Sequence, residues 1–191
     1  ANSNLTGLSE IVAQDVAYGS PSNGDYNFYI RFEQVSNTFT YVLEIDGVNK
    51  TIDISPPSTQ EWHNCALTYD GSTMKAFMDG NLVGTESLSG SFVSSNAVFY
   101  LGNWNQQELF EGNIDNPMFW DNALTQSEIQ NYMSCPPTGN EAGLVSYWNF
   151  NEGSGGTVID LTGNGNNGTI NGASWSSSTP NQYCNNCTAT D

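Results

Sequence analysis

The stretch WHNCALTYDGSTMKAFMDG, residues 62–80, decides the fold of this chain. It contains two Asp-Gly pairs, at 70–71 and 79–80, each preceded by a short run rich in apolar and aromatic residues. Asp-Gly in this setting is a strong signal for a tight turn between two strands. Alternation assigns one side of each strand to the following residues: Cys65, Leu67 and Tyr69 in the first strand, and Ala76 and Met78 in the second. The stretch therefore predicts a β-meander.

Alternating apolar residues predict further strands upstream of the meander. One side of each strand is formed by these residues: Phe28, Ile30 and Phe32 in one, and Phe39, Tyr41, Leu43 and Ile45 in the next. Asp46-Gly47 then turns the chain into a strand over 48–54, which Pro56-Pro57 ends because proline cannot donate to a ladder. An apolar patch at 8–13 predicts one more short strand.

Two strands and one helix are predicted downstream. The strands cover 97–102 and 114–120. Thr125 is a good N-cap residue, and Glu128 three positions later completes a capping box. Leu124 before the cap is placed to pack on Ile129. These signals predict a single short helix over 126–133.

The motifs in this order resemble those of laminin-G-like domains of the concanavalin A-like superfamily. The motifs are Trp62-His63, Ala66–Gly71, Phe77, Asp79-Gly80, Leu82-Val83, Leu101-Gly102-Asn103, Phe110-Glu111-Gly112, Ile114-Asp115 and Ala123–Ile129. They cover roughly the last two thirds of such a domain. The resemblance implies an all-β fold, a two-sheet antiparallel jelly-roll sandwich with one short helix.

The order of the motifs is inverted at the C-terminus. Residues 143–175 resemble the opening of a laminin-G-like domain, whereas residues 1–25 do not. We therefore expect a laminin-G-like body over 1–134, a linker over 135–142 and a tail over 176–191. The segment 143–175 either completes the sandwich of the body, as in a circular permutation, or pairs with a neighbouring domain or subunit.

Composition excludes several classes of function. The chain has 191 residues, with 3 Lys and Arg against 20 Asp and Glu, and a formal net charge of −17. Such a surface repels phosphate backbones and anionic lipid, so we expect no nucleic-acid partner and no membrane insertion. No run is long and apolar enough to span a bilayer. The aromatic content of 12% and the many Asn, Ser, Thr and Gly residues favour an extracellular β-protein, whose signal peptide would have been removed before Ala1.

The four cysteines predict one disulfide. Cys135, Cys184 and Cys187 bracket the C-terminal segment, and Cys135–Cys184 is the first choice with Cys135–Cys187 second. Cys65 lies inside a core strand and is interpreted as a small buried apolar residue. A zinc or redox site is poorly supported because there is no second cysteine pair and His63 is the single histidine.

The loop 160–168, DLTGNGNNG, is the strongest candidate metal site. It combines the carboxylate of Asp160 with amide and backbone oxygens, including those of Asn164 and Asn166, and calcium needs six to eight oxygens. The resemblance supports calcium, because many laminin-G-like relatives hold this ion at the rim of the sandwich. Asp115 is a second carboxylate if the C-terminal segment folds back beside it. The alternative is a tight turn in which Asn and Gly accept positive φ angles.

An aromatic residue among amides is the second candidate site. Trp104 lies between Asn103 and Asn105, a composition suited to stacking a sugar ring while amides bond its hydroxyls. Tyr18 is a weaker candidate in a Gly/Ser/Asn loop. The alternative is that Trp104 plugs the end of the sandwich.

Catalysis is poorly supported by the sequence. His63 stands alone on a strand and is interpreted as structural. No nucleophile-elbow serine, phosphate-cradling loop or metal-hydrolase motif is present. The paired acids of glucanases on this fold are absent too.

These observations predict a binding module of a larger secreted or cell-surface protein and not an enzyme. The expected role is adhesion to a glycan or glycoprotein, with calcium ordering the binding rim. One alternative is a structural spacer or filament block that pairs strands with neighbouring copies of itself or adjacent domains. Another is an accessory domain of a polysaccharide-degrading enzyme.

Overall fold

The computed structural model describes residues 8–15, 28–33, 36–91, 98–103, 109–182 and 184. The chain divides into two units, an N-terminal unit of residues 1–112 and a C-terminal unit of residues 113–191. In the described residues every sheet is antiparallel and there is one short helix, so the predicted all-β class is confirmed. No helix in this part of the chain has the length and apolar character needed to cross a membrane.

The N-terminal unit contains two sheets. The described strands are β1 (Leu8–Asp15), β2 (Phe28–Glu33), β3 (Thr38–Ile45), β4 (Val48–Ile54), β5 (Cys65–Tyr69), β6 (Thr73–Met78), β7 (Asn81–Ser87) and β8 (Val98–Leu101). The five-stranded sheet has the order β4-β3-β2-β1-β8, and the three-stranded sheet has the order β5-β6-β7. The strands predicted in this unit are therefore present, with bounds shifted by a few residues.

The core of this unit lies between the two sheets. Tyr41, Ile45, Met74 and Ala76 are fully buried in one cluster that contains residues of both sheets. The alternation in the sequence places these side chains on the facing surfaces, and burying them is the main favourable term for folding. The Tyr41 hydroxyl donates to the Phe77 carbonyl at 2.8 Å, which satisfies the one polar atom that the ring brings into the core.

Two of the three predicted Asp-Gly turns have the backbone geometry of a two-residue turn, whereas at Asp70-Gly71 only the glycine has a positive φ angle. Both residues of Asp46-Gly47 and both residues of Asp79-Gly80 have positive φ angles between 51° and 74°. Two consecutive positive φ angles define the type I′ turn that suits a two-residue hairpin. The sequence of these turns therefore sets the register of β3 with β4 and of β6 with β7.

His63 joins the segment before β5 to the turn between β6 and β7. Its Nδ1 lies 2.9 Å from Asp79 Oδ2, and the Asn64 backbone N–H donates to Asp79 Oδ1 at 2.9 Å. Its Nε2 lies 3.0 Å from the hydroxyl of Ser58, and that hydroxyl also donates to Glu61. These contacts hold two loops together, which favours the structural interpretation of this histidine.

A glycine in β7 permits close approach of the two sheets at one edge. A Cβ atom on Gly84 would overlap Ile52 of β4, a residue that is 7% exposed. We expect Gly84→Val to lower the free energy of unfolding by about 2 kcal/mol, because the added methyl groups force the packed strands apart. Urea denaturation followed by tryptophan fluorescence measures the effect, and Thr85→Val at the exposed neighbouring position is the control. An unchanged midpoint for Gly84→Val would contradict this packing.

The C-terminal unit contains two small sheets and the helix. Its described elements are β9 (Met118–Trp120), α1 (Gln126–Ser134), β10 (Leu144–Tyr147), β11 (Thr157–Val158) and β12 (Gly168–Thr169). The capping box predicted at Thr125 and Glu128 is present, and α1 begins at the predicted residue. The predicted strand over 114–120 is shortened to β9, because Asn116 has a positive φ angle of 52° and Pro117 cannot donate to a ladder.

The boundary between the units lies at 112/113, whereas the sequence placed the end of the first body at residue 134. The boundary lies before β9 because β9, which precedes the helix, pairs antiparallel with β10 of the segment 143–175. The first strand of that segment therefore has a partner within the chain. That the segment 143–175 completes the sandwich of the body stays a prediction.

Candidate functional site

Asp160 is the centre of a hydrogen-bonded loop in the C-terminal unit. It is 4% exposed. Its Oδ1 accepts bonds from the backbone N–H groups of Tyr147 and Thr162 and from the Thr162 hydroxyl, at 3.2, 3.1 and 2.7 Å. Its Oδ2 accepts from the backbone N–H of Asn166 at 3.1 Å. Burial alone would raise the pKa of Asp160, but these hydrogen bonds outweigh burial and hold the pKa below its ordinary value.

Two asparagines of the same loop turn their amide nitrogens inward. The side-chain nitrogens of Asn164 and Asn166 donate to the Val145 carbonyl at 2.9 and 3.3 Å, and that of Asn166 also donates to the Ser146 hydroxyl at 2.8 Å. A cation needs oxygens at these positions. The donor set of the loop therefore fits the turn interpretation better than a calcium site, and a metal would require both amides to rotate.

Asp115 lines an open cleft of about 300 Å³, and Asp160, Asn164 and Asn166 are not among the lining residues. Four parts of the C-terminal unit form the cleft: the residues before β9, the residue after Cys135, the end of β10 with the chain beyond it, and the tail. The lining residues are Asp115, Asn116, Pro136, Tyr147, Asn149, Asn151, Thr179, Pro180 and Gln182. One of the four predicted metal ligands therefore lines this cleft, and the other three do not. No cluster of three or more His, Cys, Asp or Glu side chains suited to a metal occurs in the described ranges.

A disulfide and two amides hold the tail at the wall of the cleft. The structure joins Cys135 to Cys184, the first of the two predicted pairings, with Cα atoms 4.7 Å apart. Gln182 accepts a hydrogen bond from the side chain of Asn116 at 3.1 Å and donates to the Met133 carbonyl at 3.4 Å. The tail therefore contacts both the segment before β9 and the end of α1.

Several polar groups of the cleft have no hydrogen-bond partner in the part of the chain that the structure describes. Asp115 Oδ1 accepts from the Asn116 backbone N–H at 2.9 Å, but its Oδ2 has none. The side-chain nitrogen of Asn149 and the side chains of Asn151 and Thr179 also have none there. Such groups can bond the hydroxyls of a polar ligand.

Asp115 is the one charged residue in the lining of the cleft, and residues 113–191 contain no Lys, Arg or His to compensate its charge. Burial raises the pKa of Asp115, and one backbone hydrogen bond opposes the rise. Burial also raises the pKa of Tyr147 to about 12, with further contributions from the negative charges of Asp115 and Glu141. The Tyr147 hydroxyl donates to Asn116 Oδ1 at 2.7 Å.

Most of the predicted sugar-binding residues cannot be placed. Trp104, Asn105 and Tyr18 lie outside the described residues. Asn103 is half-buried two residues after the end of β8. The proposed sugar site at this loop therefore stays a prediction.

Sequence reasoning missed the cleft, although it named Asp115. Asn116, Asn149, Asn151 and Gln182 are unremarkable in a chain so rich in amides. Asn116 and Gln182 are 66 residues apart and meet because of the disulfide. The usable signal was the predicted Cys135–Cys184 bridge, which brings the tail to the end of the helix.

Comparison with known proteins identifies the family. A laminin G model described as concanavalin A-like lectin/glucanases superfamily matches residues 4–130. The chain belongs to this superfamily. The match begins at residue 4, so the superfamily pattern includes residues 4–25, whose sequence does not resemble the domain opening. The inverted order proposed for residues 143–175 is not tested by this match.

One solved structure similar to this superfamily member is the crystal structure of residues 221–444 of an S-layer domain-containing protein from Clostridium thermocellum. The identity is 20% and the TM-score is 0.30. The alignment covers 63% of this chain and 62% of that one. No curated protein matches the chain.

We expect Asp115→Asn to stabilise this superfamily member at neutral pH, because burial raises the pKa of this carboxyl in the folded state. The pKa of Asp115 is raised in the folded state, so its ionisation weakens folding once the pH exceeds the pKa of the unfolded carboxyl, near 3.9. The stabilisation by Asp115→Asn is therefore present at pH 7 and disappears below about pH 3. Thermal unfolding at both pH values measures it. Asp121→Asn, at an exposed carboxylate of the same unit, is the control. A lower melting temperature for Asp115→Asn at pH 7 would show that this carboxylate supports the fold.

Proposed function

We propose that this chain is an extracellular or cell-surface carbohydrate-binding module that acts by binding and not by catalysis. The observation that supports this best is the cleft at Asp115, where amide, hydroxyl and carboxylate groups without protein partners surround a space at the small end of ligand pockets, which span about 300–1,000 Å³. Membership of the lectin/glucanases superfamily supports the same class of ligand.

The net charge narrows the class of glycans that the module is expected to bind. A chain at −17 repels sulfated, sialylated and uronic-acid glycans, and the one charged group of the cleft lining is itself a carboxylate. The expected ligands are therefore neutral or cationic glycans and glycoproteins. Adhesion to such a surface glycan is the role that we assign to the module.

A glycan array tests the proposal directly. The wild-type chain is expected to bind a subset of neutral or cationic glycans, and the double variant Asn149→Ala, Asn151→Ala is expected to lose most of the signal. Asn131→Ala, on the exposed face of α1, is the matched control. Absence of binding at high protein concentration, or equal binding by the double variant, would reject the cleft as the glycan site.

Calcium stabilisation is a separate proposal and rests on the family resemblance. Its protein ligands would be Asp160, Asn164 and Asn166, with the amides of the two asparagines rotated. Calcium at 100 times its dissociation constant would add about 2.7 kcal/mol to the free energy of unfolding. Melting curves with calcium and with chelator test this, and identical curves would reject it.

Assembly by strand pairing is the second candidate function. Among the described strands β7 is one of the two outer strands of its sheet, and Leu82 and Val83 are 48% and 37% exposed. Exposed apolar edge strands pair readily with further copies. Light scattering over a hundredfold range of concentration distinguishes the two functions, since a filament block forms a ladder of oligomers and a binding module stays at one mass.

A further inference from the structure

The carboxylate of Asp115 indicates which class of sugar the cleft selects. Asp115 is half-buried and is the one carboxylate among the lining residues. Its Oδ1 is bonded to the Asn116 backbone N–H, and its Oδ2 has no hydrogen-bond partner in the described ranges. A partly desolvated carboxylate is costly unless a hydrogen bond or a cation compensates it.

No cation of the surrounding segment supplies that compensation. The chain contains three Lys and Arg residues, Arg31, Lys50 and Lys75, and one histidine, His63, so residues 113–191 contain no cationic side chain. The hydroxyl of Tyr147, another lining residue, donates to Asn116 at 2.7 Å and not to Asp115. The cleft therefore presents an acceptor without a matching donor.

The neighbouring groups suit the rest of a sugar ring. The Asn149, Asn151 and Thr179 side chains can bond hydroxyls, and the exposed lining of the cleft is mostly polar. A calcium ion fits this lining poorly because it needs six to eight oxygens and usually more than one carboxylate. An acidic sugar would meet Asp115 as a like charge.

We propose that the cleft binds an amino sugar, with its ammonium group on Asp115 and its hydroxyls on Asn149, Asn151 and Thr179. This rests on the proposed carbohydrate-binding function and adds the class of sugar. An ammonium has three N–H donors and a full positive charge, so it can bond Oδ2 and compensate the charge of the half-buried carboxylate together.

Three trimers of the same linkage test the proposal, because glucosamine, N-acetylglucosamine and glucose differ at one ring position. Titration calorimetry is carried out at about 0.15 M salt, where long-range attraction to the acidic chain is largely screened. We expect the glucosamine trimer to bind the wild-type chain at least about tenfold more tightly than the glucose trimer. Asp115→Asn is expected to reduce this ratio to near one.

The control variant separates a site from general charge attraction. Asp121→Asn removes the same charge from an exposed position and is expected to keep the tenfold ratio. An equal loss of the ratio in both variants, or a ratio that persists in Asp115→Asn, would overturn the proposal. So would equal binding of a lysine trimer, because the cleft would then recognise any ammonium.

Binding of the trimers and the glycan array together distinguish a wrong class of sugar from a wrong proposed function. Binding of the glucose trimer with no preference for glucosamine rejects the inference and leaves a carbohydrate-binding module. Binding of none of the trimers rejects the inference as well, and a blank glycan array then rejects the function with it.

Discussion

Replacing Asp160 by alanine is expected to lower the free energy of unfolding of the C-terminal unit by about 3–5 kcal/mol. The carboxylate is buried and accepts four hydrogen bonds, three from backbone N–H groups and one from the Thr162 hydroxyl. Alanine leaves these donors without an acceptor in a place that water reaches poorly. Urea denaturation of the full chain, followed by tryptophan fluorescence, measures the loss.

The stability lost in Asp160→Ala should become smaller as the pH falls. Because hydrogen bonds hold the pKa of Asp160 below its ordinary value, its contribution is fully present above the unfolded value near 3.9 and is lost as the pH falls through the lower folded value. The difference between wild type and Asp160→Ala should therefore shrink below about pH 4. Asp121→Ala, which removes an exposed carboxylate, is expected to change stability by less than about 0.5 kcal/mol. A small effect of Asp160→Ala at pH 7 would contradict the role of this loop.

Loss of the Cys135–Cys184 bridge is the second large effect that we expect. The cysteines are 49 residues apart, and closing a loop of this length stabilises the folded state by about 4 kcal/mol in the chain-entropy model. The double variant Cys135→Ser, Cys184→Ser should therefore lower the free energy of unfolding of the C-terminal unit by about 2–4 kcal/mol.

The same variant should lose glycan binding even where it stays folded. Without the bridge, the tail with Thr179, Pro180 and Gln182 is held mainly by the two hydrogen bonds of Gln182. A reductant should reproduce both effects in the wild-type chain and change nothing further in the double variant. Cys65→Ala, which removes the free cysteine of the N-terminal unit, is the control and should bind normally. Unchanged binding in the double variant would show that the tail is not part of the site.

The strands of the N-terminal unit could be predicted because their signals are local. The alternation of Phe39, Tyr41, Leu43 and Ile45 gives β3, and the Asp46-Gly47 turn gives β4 at its predicted bounds. The capping box gives the start of α1. Each of these features depends on residues fewer than ten positions apart, which is the range over which periodicity and turn chemistry act.

The strand before the helix was predicted too long for a physical reason. Apolar residues from Ile114 to Trp120 match a strand, but the positive φ angle of Asn116 bends the chain before Pro117. The Asp115 side chain accepts from the Asn116 backbone N–H at this bend. The bend thereby ends the strand early and contributes Asp115 and Asn116 to the cleft.

The candidate site could be predicted only in part. Asp160 stands out in the sequence, but whether its oxygens face a cation or backbone donors depends on the path of β10, more than ten residues earlier. The cleft at Asp115 depends on contacts across 66 residues and on a disulfide. Composition gave the decisive electrostatic fact, since the absence of Lys, Arg and His from residues 113–191 is readable without a structure.

The measurement that tests the account most directly is an NMR titration of the labelled full chain with the glucosamine and glucose trimers. The side-chain amides of Asn116, Asn149, Asn151 and Gln182 report on the cleft without any substitution. The account predicts saturable shifts of these four signals, larger for glucosamine than for glucose, with the signals of Asn164 unchanged. Binding accompanied by shifts confined to residues outside the cleft would contradict it.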